Sequence, residues 1–338
     1  MHKKYDVIVL GGGPAGMACA VQSARFGAST LILDENEELG GQLVKQTHKF
    51  FGSRMHYAGY RGFEIAEIQR NKVIDSGIDV LTEAVVWHVA VNRVYVSLEG
   101  GSCTFAFRKL VVATGAKERP IYFPKWTLPG IIYAGALQTL VNIHRVSPGK
   151  SAVVVGSGNV GLIVAYQLVQ AGIEVKAVIE KADKVGGYKV HANKLKALGV
   201  PILLSHDIIS ALGEYHCHGV QVSHANGRPK AIEAEIVCIA TGMVSHNAIL
   251  RAANINLFYH KAFDDFLPRF NNELVLLDNS DFLVAGDVAG VEEASVAIEA
   301  GRLAGLSSCK SLGLLVRSDD DLIAEVQGRL SELRYAGQ

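Results

Sequence analysis

The sequence predicts an α/β protein made of two three-layer units of one plan, each with a β-meander, the second unit inserted into the first. Three observations predict it. A strand–glycine turn–helix–strand segment occurs twice, an Ala-Thr-Gly strand ending occurs twice, and an apolar strand running into Gly-Asp and an Ala-rich helix occurs near the end. The 338 residues suit two domains of ordinary size. Hydrophobic residues make up 49% and mean hydropathy is +0.22, which supplies large cores and excludes a disordered chain. Lys plus Arg and Asp plus Glu both number 33, so charge directs the chain neither to nucleic acid nor to an anionic membrane.

The first copy of the duplicated segment reads YDVIVLGGGPAGMACAVQSARFGASTLILDE over residues 5–35; the second reads SAVVVGSGNVGLIVAYQLVQAGIEVKAVIEK over 151–181. Each contains G-x-G-x-x-G, as Gly11, Gly13 and Gly16 and as Gly156, Gly158 and Gly161. A further glycine stands sixteen residues after the first, Gly27 or Gly172, where the helix should end. Each second strand finishes on an acid, Asp34 or Glu180. Holding a dinucleotide demands these residue types. The first glycine makes the tight turn, the second admits backbone to the pyrophosphate, and the third lets the helix pack on the strand while its N-terminus faces the phosphates. The acid accepts hydrogen bonds from a ribose hydroxyl. One such motif is weak evidence; two complete units in register make both units Rossmann-like dinucleotide-binding domains.

The second observation is KLVVATG, ending at Gly115, and IVCIATG, ending at Gly242. Both should close a β-meander, the first turning at Gly100-Gly101 and the second at Asn226-Gly227, a type I′ hairpin dipeptide. The third is DFLVAGDVAGVEEASVAIEAGRLAG, 281–305, a strand into Gly286-Asp287 with a helix from about Glu292. The N-terminal MHKKYDVIVLGGG has basic residues before an apolar run, but the run is short and enters the fingerprint, so it is read as a strand and not as a signal peptide. Glycines and charges interrupt every long apolar stretch, so a cytoplasmic chain with no membrane segment is expected.

Together these segments resemble the FAD/NAD(P)-dependent pyridine nucleotide-disulfide oxidoreductase-like superfamily, in its small thioredoxin-reductase-like form, over nearly the whole chain. The resemblance implies an FAD domain built from 1–118 and 256–338 with an NAD(P) domain, 119–255, inserted in it. It implies that FAD is held by Gly11, Gly13, Pro14, Ala15 and Gly16, by Asp34 and Glu35, and by Gly41, Gln42, Thr47 and His48 in the segment that follows. Val85, the Ala113, Thr114 and Gly115 turn, Gly286 and Asp287, and the helix start at Glu293, Ala294 and Ser295 complete that site. The pyridine nucleotide would rest on Gly156, Gly158, Asn159, Val160, Gly161, Glu180 and Gly242. LGGQL (39–43) is similar to a Gly-Gly-Gln-Leu of thioredoxin reductases, yet the C-x-x-C of those enzymes is absent. Neither WTLPGIIYAGALQTLVNIH (126–144) nor EKADKVGGYKVHANKL (180–195) has a cysteine. The five cysteines, Cys19, Cys103, Cys217, Cys238 and Cys309, are scattered, and without a dithiol no mixed disulfide can form. A closer resemblance, carried by WTLPGIIYAGALQTLVN, PGKSAVVVGSG (148–158) and VAGDVAGVEEASVAIEAGRLAG (284–305), is to the FAD subunits of hydrogen cyanide synthase, opine oxidase and archaeal proline dehydrogenase complexes. Sarcosine oxidase α-subunits have a similar module.

Smaller signals refine this. Glu180 disfavours a 2′-phosphate, and only Lys181 and Lys184 follow it, with Asp183 between them, so NADH is favoured over NADPH. In LGGQLVKQTHKFFG (39–52) the Gly-Gly-Gln belongs to the flavin wall, and Lys45, Thr47, His48 and Lys49 are placed to meet flavin or substrate or to be structural. No catalytic residue is assigned, because hydride transfer between nicotinamide and flavin needs alignment more than acid–base help. HCHGVQVSH (216–224) reads as a surface strand with too few ligands for zinc, and SDDDLIAEVQGRLSEL (318–333) as a C-terminal helix capped by Ser318 with a stripe of Leu322, Val326, Leu330 and Leu333.

The expected function is hydride transfer between NAD(P)H and FAD and onward to a small molecule or a redox partner protein, a second dehydrogenase subunit or an iron–sulfur protein, in a homo-oligomer or hetero-complex. Two alternatives stand beside it. One is a ferredoxin or flavodoxin reductase of the thioredoxin-reductase-like type, against which the Trp126–Leu137 and Glu292–Ala294 segments argue. The other is a cofactor-carrying subunit of an amine or amino-acid dehydrogenase complex.

Overall fold

A computed structural model describes residues 3–224, 227–316 and 319–336. Its α-helices among those residues are α1 (Pro14–Arg25), α2 (Gly62–Asp75), α3 (Ala134–Gln138), α4 (Asn159–Gln170), α5 (Lys189–Ala197), α6 (Ala248–Ala252), α7 (Ala294–Ser311) and α8 (Asp320–Ala336). None of the described helices is long and apolar enough to cross a membrane. The chain divides into two compact units: Met1–Val44, Lys49–Lys117 and Val244–Gln338 form the first, and Lys45–His48 with Glu118–Met243 form the second.

In the first unit a parallel sheet runs Asp79–Leu81, Thr30–Leu33, Lys3–Leu10, Gly101–Val112, with Phe282–Val284 also parallel to the last. Strand Gly101–Val112 is long enough to serve twice. Its start pairs antiparallel with Arg93–Leu98, which pairs with Val85–Ala90, and this is the predicted meander turning at Gly100-Gly101. Strand alternation explains the layers. Val7 and Val9 enter a core shared with α1, α7 and α8, while Ile8 and Leu10 enter a second core on the meander side. Helices α1 and α7 approach closely because α7 has glycine where they cross: a Cβ at Gly301 would lie 2.1 Å from the Ala15 carbonyl oxygen. Ile323, Val326 and Leu330 of α8 are buried in the same core, so the predicted C-terminal stripe docks on its own unit; Ser318 lies outside the described residues.

The second unit repeats the plan. A fully parallel sheet runs Ile202–Leu203, Glu174–Ile179, Ser151–Val155, Ile236–Ile239, Ile131–Tyr133. Ala152 and Val154 face α4 and α5, while Val153 and Val155 face an antiparallel meander of His206–Leu212, Gly219–His224 and Lys230–Glu233. The predicted Asn226-Gly227 turn falls partly outside the described residues.

The structure differs from the sequence expectation at three places. Residues 244–255 lie in the first unit, where an inserted domain running to 255 was expected, because Leu250 and Ile255 are buried in the core of Ile8, Leu10 and Val112. Residues 45–48, expected in the first part of the FAD domain, group with the second unit. His216 and His218 lie in a loop and not in a strand. Gly213 and Gly219 flank them at φ +130° and +138°, and Cys217 is buried between them.

Candidate functional site

In the first unit the chain leaves strand Lys3–Leu10 through Gly11 at φ +98°, and a Cβ there would stand 2.4 Å from the Ala113 carbonyl oxygen. Gly16 is held closer still: its Cβ would lie 1.8 Å from the Gly11 oxygen, so the helix packs on the turn that starts it. Gly13 caps α1 with Pro14 behind it and no side chain on the helix N–H groups, which leaves those donors for an anion. The Leu39–Gln42 loop folds over this turn. The Gly40 N–H donates to the Gly12 carbonyl at 2.8 Å, and a Cβ on Gly41 would come within 2.9 Å of the Gly13 Cα. Gly41 stands there because backbone rides on backbone, and Gly40, at φ +132°, because a Cβ would meet the Val44 side chain at 2.5 Å.

Asp34 is 5% exposed and its carboxylate is turned into the turn. Oδ2 accepts from the Gly12 N–H at 2.5 Å, and Oδ1 accepts from the Asn36 N–H and side-chain amide at 2.8 and 2.7 Å. Glu35 beside it is exposed. Ala113 forms the floor of the turn, Thr114 Oγ1 donates to the His246 carbonyl at 2.7 Å, and Gly115 at φ +70° accepts from the His246 N–H. Val85, at the start of the meander, is 46% exposed.

The Gly286-Asp287 turn follows strand Phe282–Val284 and leans on the same helix: Gly286 has φ +73°, and its Cβ would meet the Ala15 Cβ at 2.9 Å. The Asp287 carboxyl accepts only a long bond, 3.3 Å, from the Glu292 N–H, and burial pushes its pKa up to about 6. Helix α7 begins just beyond, at Ala294, with Glu293 at its cap position and no side chain on its N–H groups, while Ser295 lies in the first turn. Glu292 is drawn aside by Arg334 of α8, whose Nε and Nη2 reach its carboxylate at 2.9 and 2.8 Å. An uncapped helix start, a glycine cradle and a buried carboxyl with unused lone pairs converge on one edge of the unit. They fit the pyrophosphate, ribityl and flavin edge of FAD.

The second unit builds its turn the same way. Gly156 has φ +106° and a Cβ there would lie 2.3 Å from the Ala240 oxygen; one at Gly161 would lie 2.1 Å from the Gly156 oxygen. Gly158 faces open space at the uncapped start of α4, and Val160 of the first helical turn is exposed. The Glu180 carboxylate accepts from the Ser157 N–H and hydroxyl at 2.9 and 2.6 Å and from the Ala182 N–H at 2.8 Å. Burial raises its pKa, but those donors outweigh burial and leave it below the usual carboxylate range. Gly242, at φ +113°, closes the Ala-Thr-Gly turn, and its carbonyl accepts from the Arg119 N–H.

One element escaped the sequence reading. Gly186-Gly187 folds over this turn as Gly40-Gly41 folds over the first: the Gly187 N–H donates to the Ser157 carbonyl at 2.8 Å, and the Tyr188 N–H donates to Asn159 Oδ1. The signal was the Gly-Gly pair itself, VGGY beside LGGQ.

The predicted flavin-wall residues part company. Gly41 starts the 3₁₀ turn Gly41–Lys45, where Gln42 is exposed. Thr47 and His48 sit with the second unit. Thr47 Oγ1 accepts from Gln167 of α4 at 2.9 Å, and Gln167 in turn accepts from Gln138. His48 is held neutral, its pKa pulled down to about 4 by burial and by the neighbouring His191 and Lys194. Lys45 and Glu118 flank Gly135: Lys45 Nζ donates to its carbonyl at 3.3 Å and Glu118 Oε1 accepts from its N–H at 2.7 Å. Burial lowers the lysine pKa and raises that of the glutamate, so each is pushed toward neutrality.

Comparison with known proteins agrees with this architecture. The family model for pyridine nucleotide-disulphide oxidoreductases matches residues 5–301. An opine oxidase subunit of Agrobacterium tumefaciens (strain Ach5) is 30% identical over 92% of this chain; the chain spans 66% of that protein, just under two thirds of it. Hydrogen cyanide synthase subunit HcnB of Pseudomonas protegens is 27% identical over 98% of this chain and 76% of its own length. Among solved structures, L-proline dehydrogenase of P. horikoshii superposes with a TM-score of 0.78 at 18% identity, covering 98% of this chain and 60% of its own, a likeness of fold.

Proposed function

This chain belongs to the pyridine nucleotide-disulphide oxidoreductase family and is an FAD-dependent oxidoreductase, and we propose that it passes reducing equivalents between NADH and FAD and onward to a small-molecule acceptor or a partner subunit, without dithiol exchange. FAD, when bound, supplies the redox chemistry at its flavin ring. The residues of the chain bind and align it. The observation that carries the reading is that both fingerprint turns have a glycine cradle and an uncapped helix start, so each unit offers a phosphate site of its own.

We assign FAD to the first unit, with the pyrophosphate at Gly11, Gly13 and the α1 N-terminus, the ribityl chain at Asp287, and the flavin edge at the start of α7. We assign NAD(H) to the second unit. Glu180 stays ionised at neutral pH and repels a 2′-phosphate, and Lys181, which would have to attract one, is paired with Asp207 at 2.8 Å. The thiols support the exclusion of dithiol chemistry. Cys19, Cys217, Cys238 and Cys309 are buried, and burial raises the pKa of each, to about 12 for Cys19.

A second reading is favoured by the relatives that are named as subunits. In it the chain is the cofactor-carrying subunit of an amine or amino-acid dehydrogenase complex, and the second site holds a nucleotide without turnover. Anaerobic mixing separates the two. FAD-loaded protein whose flavin absorbance bleaches with NADH, and far more slowly with NADPH, supports the first. A flavin reduced only when a second polypeptide and its amino-acid substrate are added supports the second. A chain that takes up no FAD overturns both.

A further inference from the structure

Helices α1, α2, α7 and α8 of the first unit leave a cavity of about 350 Å³ between them. Its volume falls within the range of small-molecule sites, roughly 300–1,000 Å³. Residues at helical spacing line it: Met17, Val21 and Arg25 on α1, and Ile298, Arg302 and Leu306 on α7. It runs along the length of α1 toward Arg25, away from the Gly13 end where the first fingerprint lies.

The lining is two-faced. Val21 and Leu322, which keep accessible surface, make an apolar wall, with Met17, Leu306 and Val326 buried behind it. Arg25, Lys72, Arg302 and Arg329 bring four cations against a single lining carboxylate, Glu325. The two inner arginines are set in place from behind by Glu299, which is fully buried. Glu299 accepts from Arg302, from Arg329 Nε at 3.1 Å and from His56 Nε2 at 2.9 Å. That carboxylate occupies part of each guanidinium, and Arg329 also donates from Nη1 to Glu325 at 2.5 Å. Lys72 and Arg25 stand at the exposed rim, with Lys72 Nζ donating to the Tyr57 hydroxyl at 2.9 Å.

Gln69 supplies an independent mark. It lines the cavity, is 4% exposed, and neither its Nε2 nor its Oε1 has a hydrogen-bond partner. Buried amides are nearly always satisfied, and a fold that leaves both ends of one unmade beside a cavity has left them for something else.

We propose that this cavity is a binding site for a small amphipathic carboxylate, separate from both fingerprint sites. Its apolar body lies along Val21 and Leu322, over the buried Met17, Leu306 and Val326, its head group faces Lys72 and Arg25 at the rim, and a polar atom along its length meets the Gln69 amide. A monoanion suits the charge, since Glu299 and Glu325 already offset part of the four cations.

Calorimetry on the FAD-loaded full chain with octanoate, 5-hydroxyoctanoate, octanol and acetate tests this. Octanoate is expected to bind, 5-hydroxyoctanoate to bind at least as tightly because its hydroxyl meets the Gln69 amide, and octanol and acetate to bind at least tenfold more weakly than octanoate. Weaker binding of 5-hydroxyoctanoate than of octanoate would overturn the Gln69 contact. The double variant Arg25→Glu/Lys72→Glu, both exposed and outside the cofactor sites, is expected to weaken octanoate by about tenfold, the scale of two partly exposed charge contacts, with flavin content and reduction rate unchanged. No octanoate binding, equal binding of octanol, or an unchanged affinity in the double variant would overturn the proposal.

Discussion

Gly11 and Gly156 occupy the same point of the two units, and in each the space for a Cβ is taken by a carbonyl oxygen, Ala113 in the first and Ala240 in the second. Gly16 and Gly161 face the oxygens of those glycines, and Gly27 and Gly172 end the helices at φ +81° and +79°. What lies over the turns differs. In the first unit Gly286-Asp287 and the start of α7 close on the same helix that the fingerprint opens; in the second Gly158 faces open space. The acids differ too: Asp34 is buried under its loop, whereas Glu180 is half-exposed and held by Ser157. The glycine spacing is thus a requirement of strand-to-helix packing, met identically twice, and the load each turn carries is set by what the rest of the unit brings to it.

The largest effect that would sharpen this comparison comes from the third glycines. Gly16→Ala and Gly161→Ala each place a Cβ about 2 Å from a backbone oxygen. Each is expected to destabilise its own unit by about 3 kcal/mol. Denaturant unfolding with flavin absorbance should show FAD lost only in Gly16→Ala. Loss of FAD from both would mean the units are not separate loads.

Next is Asp287, which has no counterpart in the second turn. Its folded pKa of about 6 lies above the unfolded value, so the native state binds more protons between those two values and stability falls as pH rises through that window. Apoprotein carrying Asp287→Asn should be more stable than wild type at pH 7 by on the order of 2–3 kcal/mol, and equal to it at pH 4. It should also bind FAD more weakly. An unchanged pH profile would remove Asp287 from the account.

Gly158→Ala is smaller and cleaner. Nothing lies within 4 Å of its Cβ position, so stability should move by less than about 0.5 kcal/mol. The KM for NADH should still rise by about tenfold if the methyl group occupies the space we propose for the phosphate. His48 gives the smallest effect. Its pKa is depressed to about 4, so the native state binds fewer protons than the unfolded one between there and the ordinary histidine value, and stability drops as pH falls through that range. His48→Gln should flatten this acid limb by ~1 kcal/mol, discounted for partial exposure. Thermal melts from pH 7 to 4 would show it.

The sequence discloses most of the fold because the determinants are local. Strand, turn, helix and acid are contiguous in residues 5–35 and again in 151–181, and Gly11, Gly16, Gly156 and Gly161 are each demanded by an atom a few residues or one strand away. It discloses less where partners are distant. Leu250 and Ile255 join the first core through a chain reversal that no periodicity marks, which moves the boundary from 255 to 243. Lys45–His48 follows a flavin-wall motif in sequence yet is held by Gln167 and Asn142, nearly a hundred residues on or more. The Gly186-Gly187 pair was readable as a second copy of Gly40-Gly41. The cavity was not, since four helices drawn from three stretches of chain assemble it.

The most direct measurement compares anaerobic flavin reduction by NADH in wild type and Gly161→Ala, each loaded with FAD to the same content. Gly161→Ala is predicted to keep its flavin and to be reduced normally by dithionite, but by NADH at least about tenfold more slowly. Reduction by NADH at the wild-type rate would contradict this, because the second turn would then have no part in delivering electrons to the first.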